Sequence, residues 1–493
     1  MPWKPSWRAG MHGGRRRIRA EFGLRRAARL LRRSPLFDAD WYLATYPDVA
    51  AAGLDPVRHY LRSGAAEGRD PGPRFSSRDY LGRHPDVAAA GINPLLHHLR
   101  HAAHQDDASA MPAPGRAIPD LVPLHGFRVP RGGGRRVTLL TDSLASDSLF
   151  GGVVTALLFA TLAAERLGAG LRIVTETAAP DAAAAARLLR THGVAPPAEI
   201  ACAFADRRRA DRRDLDVHDG DIFVSTAWWN TWNLLHAVAP RQVIHLLQDD
   251  ERMFYPHGDA HLACAEVLAT PGLRVAVNTR LLHAHLLADG FAGLARQGAW
   301  FEPAFPLACY RWEDRAEPER RGFIFHARPD RPRNLYRRGV DAICAAIERR
   351  ILDPDRWTVS FVGRNLPAIA LPCGVRPRLL QDLSWVEYAA LLRRSDLGLC
   401  LMHSPHPSYP PLDLAASGAV AVTNRYGSKQ SLAQYSANII CVDSALDALL
   451  EGLEQGVRLA ADLPARRRNY VQSRLGRDWS VAFRPAFERL LVP

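Results

Sequence analysis

Three things are scarce in this chain of 493 residues: cysteine pairs, long apolar runs, and surplus positive charge outside one end. Cys202, Cys264, Cys309, Cys344, Cys373, Cys400 and Cys441 include no C-x-x-C pair and no cluster with histidine. That excludes a structural zinc site and a disulfide framework, and several stand in apolar runs where cysteine acts as a small core residue. The longest apolar run, "VVTALLFATLAA" after Gly152, is well short of the ~20 residues that a membrane-crossing helix requires. A secretory core with a cleavage site is also missing, so the expectation is a cytoplasmic protein.

The formal charge is +13, but residues 1–35 hold Lys4 and ten arginines against Glu21 alone, leaving +3 for the other 458 residues. A nearly neutral body excludes a continuous nucleic-acid groove, which needs basic residues spread along a folded face. The basic leader itself admits two readings. It is a cationic helix suited to the anionic inner membrane, with Ile18, Phe22, Leu24 and Leu31 partly on one side, or it is a solvated terminus.

What is present is the composition of a folded protein, with 47% hydrophobic and 23% charged residues, and a length that implies two or three domains. An internal repeat follows the leader, within residues 36–103. "FDADWYLATYPDVAAAGLDPVRHYL" from Phe37 recurs as "FSSRDYLGRHPDVAAAGINPLLHHL" from Phe75, a gapless offset of 38 residues. The recurrence of Pro-Asp and Gly-x-x-Pro at matching places predicts two copies of a small helical packing or docking unit. His59 and His97 recur with it, but no carboxylate or thiol accompanies them at ligand spacing, so they read as packed rather than metal-binding.

Residues 104–135 are rich in Pro, Gly and Ala without apolar periodicity and read as a linker. Beyond them, short β-rich runs alternate with helical stretches in two series, over 136–318 and 319–477, joined by "EPAFPLACYRWEDRAEPERRG". The expected fold class is α/β, with two doubly wound Rossmann-like domains facing each other across a cleft, preceded by the α-helical repeats. In such sheets ligands bind outside the carboxyl ends of the strands, which directs attention to four loops.

After the first strand, Gly151 and Gly152 open a helix, either to let a ligand approach or to make a tight turn. "QDDE" leaves an apolar strand with Gln248, Asp249, Asp250 and Glu251, polar groups that fit a site or a solvated turn. In the second series "FHARPDRPRN" sets Arg328, Arg333 and Asn334 between a strand and a helix. Guanidinium forks there suit a diphosphate, with a solvated charge run as the alternative. "SPHPSYPPLDLAASGAVAVTN", from Ser404, stiffens a loop with prolines before a helix. It leaves the amides of Ser408 and Tyr409 near the helix N-terminus and projects Asp413 from the first turn of that helix, to accept from a ribose diol or to complement the helix dipole.

Together "LLQDDERMFYPHG", "FHARPDRPRN" and "SPHPSYPPLDLAASGAVAVTN" resemble the rhamnosyltransferases of the WsaF type, a branch of glycosyltransferase family four with the GT-B fold, over residues 136 to the C-terminus. The repeats resemble a module attached to bacterial polysaccharide glycosyltransferases. The resemblance implies retaining, metal-independent transfer from a nucleotide-sugar, dTDP-rhamnose, to a saccharide or lipid-linked glycan acceptor. No cofactor is implied. By the same resemblance Arg328 and Arg333 match the diphosphate-binding pair, Asp413 the ribose-binding acid, and Gln248, Asp249 and Glu251 the acceptor-side motif. Asp249, Glu251 and Arg328 are then the catalytic candidates. Donor-binding candidates are Gly151, Gly152, Arg328, Arg333, Asn334, Ser408, Tyr409 and Asp413. The first acid of the family's pair would fall at Pro405 and is absent. Residues 478–493 fit the terminal helix that crosses back to the first domain. The alternatives are a UDP- or GDP-sugar donor, or a non-catalytic scaffold docking through the leader and repeats.

Overall fold

The computed structural model describes residues 28, 31–32, 34, 36–73, 75–83, 87, 92–105, 121–129, 134–144, 152–209, 213–314 and 316–491. The basic leader lies almost wholly outside the described residues, as do Gly151 and residues 106–120. The chain falls into two compact units, 1–115 and 116–493. Among the described residues no helix is long and apolar enough to cross a membrane.

In the first unit each repeat uses its own turn chemistry. Asp38 caps the helix Ala39–Thr45 by accepting from the Trp41 amide, and Asp55 caps Pro56–His59 by accepting from Arg58. In the second copy Asn93 takes the place of Asp55 and accepts from the Leu96 amide, an equivalent Asx cap. The recurring histidines are packing partners. Tyr42 hydroxyl and His59 Nδ1 are hydrogen-bonded at 3.0 Å, and Tyr80 and His97 repeat the pair at 2.8 Å.

The described residues of the second unit form two large parallel sheets and one small one. Strands β1 (His125–Arg128) and β5 (Asp214–Val217) form a small parallel pair. This corrects the 104–135 linker, because Leu124 is buried and the segment pairs with a strand far along the chain. The first large sheet is built from β2 (Arg136–Thr141), β3 (Gly170–Thr175), β4 (Ile200–Phe204), β6 (Ile222–Ser225), β7 (Val243–Leu247), β8 (Arg274–Asn278) and β9 (Gly298–Phe301), in the order β4-β3-β2-β6-β7-β8-β9. The second contains β10 (Arg321–Ala327), β11 (Trp357–Gly363), β12 (Arg378–Gln381), β13 (Leu397–Leu399), β14 (Val420–Asn424) and β15 (Ile439–Val442), ordered β12-β11-β10-β13-β14-β15. β6, β7, β13 and β14 are buried at every residue, as expected when helices cover both faces of a parallel sheet.

The apolar run noted in the sequence forms the helix Gly152–Arg166, with Val154 through Ala164 buried. Its Phe159 packs edge-on against Phe483 and Phe487 at 5.1 and 4.9 Å between ring centroids. Those rings belong to the terminal helix Trp479–Leu490, capped by Asp478, so the last helix of the chain joins the core of the first domain. The segment between the two series is likewise no loose hinge. Phe305 and Tyr310 are buried beside Tyr388 and Leu412 of the second domain.

Candidate active site

In both sheets the first strand lies inside the sheet with neighbours on either side, β2 between β3 and β6, and β10 between β11 and β13. At that point the connections run in opposite directions and a crevice opens outside the carboxyl ends. A cavity of about 370 Å³ lies there between the two domains. Gly152, Gln248, Asp249 and Glu251 line it from the first domain, and Arg328, Arg333, Asn334, Ser408, Tyr409 and Asp413 from the second. The described candidates from the sequence therefore share one cleft, although they come from four separate loops.

The second-domain wall carries surplus positive charge. Arg328, at the end of β10, has its Nε 3.8 Å from an Asp330 carboxylate oxygen. Burial pulls the Arg328 pKa down against the opposing effect of Asp330, and Arg331, Arg364 and Arg333 add to the lowering. A crowd of guanidinium groups in a half-closed crevice favours an anion that can face several at once. Arg333 is held over the Phe254 ring at 4.1 Å, and its Nε is 3.0 Å from Asp249 Oδ2 on the opposite wall. The turn bearing it is fixed by Asn334, whose side-chain amide donates to the Leu401 carbonyl at 3.3 Å.

Asp249 is the junction between the walls. Besides Arg333 it accepts from the Ser404 hydroxyl across the cleft. Burial raises its carboxyl above the usual range, with Arg333 the leading opposing effect. Gln248 anchors the same loop by donating to the Gly152 carbonyl at 2.7 Å. A Cβ on Gly152 would meet that amide at 3.2 Å, so the glycine gives the strand end access to the helix start. Glu251 is 3% exposed and accepts from the Trp228 amide at 2.6 Å, which caps the helix Trp228–Leu235. Burial holds its carboxyl well above the ordinary range. Asp250 turns aside to bind Arg252.

Three details of the proline-rich loop differ from the sequence reading. The Ser408 amide does not face the cleft, because Ser408 adopts φ +69° and its N–H donates to His406 Nδ1 at 3.0 Å. Tyr409 contributes through its phenol, which hydrogen-bonds Thr155 Oγ1 at 2.6 Å and Asn278 Nδ2 at 2.8 Å and so ties the second domain to the first. Asp413 lies beyond the first turn of the helix Tyr409–Ala416 and is 2% exposed. Tyr388 donates to its Oδ2 at 3.2 Å, Tyr310 adds a second phenol, and Oδ1 has no hydrogen-bond partner among the described residues.

Burial pushes the Asp413 carboxyl up to about 8, which sets the sign of its effect on stability. In the unfolded chain the group ionises near its ordinary value of about 4. Between these values the folded protein holds a proton that the unfolded chain releases, so stability falls as pH rises and its contribution is full only below that window. Asp413→Asn should therefore flatten the decline in melting temperature between about pH 4 and 8. Equal slopes for the two proteins across a pH series of thermal melts would contradict the assignment.

Other cleft residues escaped the sequence reading. Asp142, at the end of β2, accepts from Trp229 Nε1 at 3.1 Å and Asn230 at 2.9 Å. A polar residue directly after an apolar strand was its available signal, the same one that marks Gln248. His406 stood inside the quoted proline-rich stretch. Tyr310 and Tyr388 carried no local signal, since only folding brings them to Asp413.

This architecture, two Rossmann-like domains with a basic cleft between opposed strand ends, is the GT-B fold of glycosyltransferases. Residues 136–278 match the N-terminal domain of WsaF and residues 321–454 the WsaF C-terminal domain, so the chain carries both WsaF domains in order over more than half its length. A curated relative, the O-antigen biosynthesis protein RfbC of Myxococcus xanthus, is 28% identical over 277 residues, covering 53% of this chain. The match spans 20% of that relative's length. Similar solved structures include sucrose-phosphate synthase of Thermosynechococcus elongatus, 12% identical with a TM-score of 0.47, and Anabaena HepE in complex with UDP, 13% identical with a TM-score of 0.45. Each similarity covers 72% of this chain and 99% of the other.

Proposed function

We propose that this protein is a glycosyltransferase that moves a sugar from a nucleotide-sugar to a saccharide acceptor in cell-surface polysaccharide assembly. The observation that carries the reading is the shared cleft, with Arg328 and Arg333 on one wall and Asp249 on the other. The paired WsaF domains and the named role of the relative in O-antigen biosynthesis support the pathway. We assign dTDP-rhamnose as donor and retention of anomeric configuration from the motif resemblance.

Breaking the bond between the sugar and a diphosphate leaves negative charge on the departing oxygen and an oxocarbenium-like sugar. Arg328 and Arg333 neutralise that charge in place of a metal ion, in a crevice where such stabilisation exceeds its value in water. A diphosphate competes with Asp249 for Arg333. As Arg333 turns to phosphate, Asp249 loses the cation that opposes its burial and gains proton affinity. Donor binding thus prepares the carboxylate to orient, and take a proton from, the acceptor hydroxyl. Glu251 and Asn334 position this machinery, and Asp413 with its two phenols faces the ribose.

The test is a panel of dTDP-, UDP- and GDP-sugars, followed by release of the nucleoside diphosphate with and without saccharide acceptors. Turnover of dTDP-rhamnose above the others is expected, with a product whose anomeric configuration by NMR matches the donor's. A folded protein that consumes no donor would overturn the enzyme reading. Preference for a UDP- or GDP-sugar would overturn only the donor assignment.

A further inference from the structure

The helix Tyr409–Ala416 begins at the cleft, but its N-terminus is poor in amides. Of the four positions from Ser408 to Pro411, two are prolines without an N–H, and the Ser408 amide is bound to His406 Nδ1 at 3.0 Å. A ring nitrogen that accepts an amide N–H carries no proton of its own, so the proton of a neutral imidazole here is on Nε2. The ring is 2% exposed and lines the cleft. Its Nε2 is buried and makes no hydrogen bond to any described residue.

An unpartnered buried donor is unfavourable and rare in native proteins. The loop also holds Ser408 at φ +69°, a conformation that side chains other than glycine seldom adopt. Both features fall within the three residues His406 to Ser408, and the histidine lines the cleft. His406 is also fixed from its other side, where its amide donates to Ser404 Oγ at 3.2 Å and that hydroxyl bonds Asp249. Burial pushes the imidazole pKa down to about 3, with Lys429 and Arg333 adding to the effect, which agrees with a neutral ring.

We propose that His406 is a relay that delivers the helix N-terminus to the substrate: Ser408 N–H donates to Nδ1, and Nε2–H donates to an anionic oxygen of the donor's diphosphate. The inference rests on the glycosyltransferase reading and names a further donor-binding residue of the same site. Chained hydrogen bonds polarise one another, so the ring passes on the field of the helix end that the prolines cannot express through amides. It also supplies a hydrogen-bond donor beside the position where the expected first acid is replaced by Pro405.

Two substitutions separate the halves of the relay. In His406→Asn the side-chain oxygen can still accept from the Ser408 amide, but the distal donor is lost. In His406→Gln an amide nitrogen reaches the position of Nε2. Calorimetric titration with dTDP alone should show affinity falling about ten- to a hundred-fold in the Asn variant, with much of it recovered in the Gln variant and melting temperatures staying near wild type. Wild-type affinity for dTDP in the Asn variant would overturn the relay. So would weakened binding of dTDP-rhamnose with unchanged dTDP, because the contact would then be to the sugar. If the variants fail to fold, 15N spectra of histidine-labelled wild type decide the matter. The tautomer protonated at Nε2 should respond to dTDP, and an unchanged His406 signal in a dTDP-bound sample would overturn the proposal. Wild type that binds none of dTDP, UDP or GDP would instead defeat the glycosyltransferase reading itself.

Discussion

Arg328→Ala should lower turnover of the nucleotide-sugar by about 10²–10³-fold, the usual loss when one preorganised group facing developing charge is removed. The side chain is mostly buried, near Arg331, Arg333 and Arg364, with Asp330 the nearby opposing charge. Alanine removes a cation from a site built to hold an anion, and the departing diphosphate then develops charge without it. Because this interaction strengthens as the bond breaks, kcat should fall more than donor affinity. Melting temperature should change little or rise, since a crowded positive charge is removed. Steady-state kinetics beside a thermal melt separates the two effects. A rate like that of wild type would remove Arg328 from the chemistry.

Asp249→Asn should lower turnover by about 10²–10⁴-fold, the scale associated with loss of a positioned proton acceptor. Burial raises the wild-type carboxyl, so its acid limb in kcat/KM should lie above the ordinary carboxylate range, with activity rising as the proton leaves. The Asn variant should lack that limb. Its amide can still accept from Ser404 but no longer balances Arg333, so dTDP should bind at least as well as to wild type while transfer fails. A variant whose pH profile retains the acid limb would show that another group is titrating.

Much of this site could be read locally. Gln248 and Asp249 follow an apolar strand, Arg328 and Arg333 lie in a strand-to-helix loop, and Ser408 to Asp413 surround a proline-marked helix start. Such residues lie outside the carboxyl ends of parallel strands, where an α/β sheet gathers its ligands. Roles were less legible than places. The proline pattern implied a cradle of free amides at Ser408 and Tyr409, but one amide is bound to His406 and the tyrosine acts through its phenol. Asp413 was expected in the first turn but is enclosed one turn later by Tyr388 and Tyr310. The linker reading failed at β1 because its partner strand, β5, is far away in the chain. An isolated four-residue strand leaves little periodicity to detect.

The amino-acid sequence alone determined the repeat, the alternation of strands with helices and the loops that carry the cleft residues, because hydrophobic period and turn chemistry act over a few neighbouring positions. Tertiary structure decided which groups meet. Ser404 reaches Asp249 across 155 positions, and the Tyr409 phenol reaches Asn278 and Thr155 across 131 and 254. Those contacts depend on how two separately formed sheets close on each other. The same closure sets the dielectric around Asp249, Asp413 and His406, and with it their protonation, which no local pattern encodes.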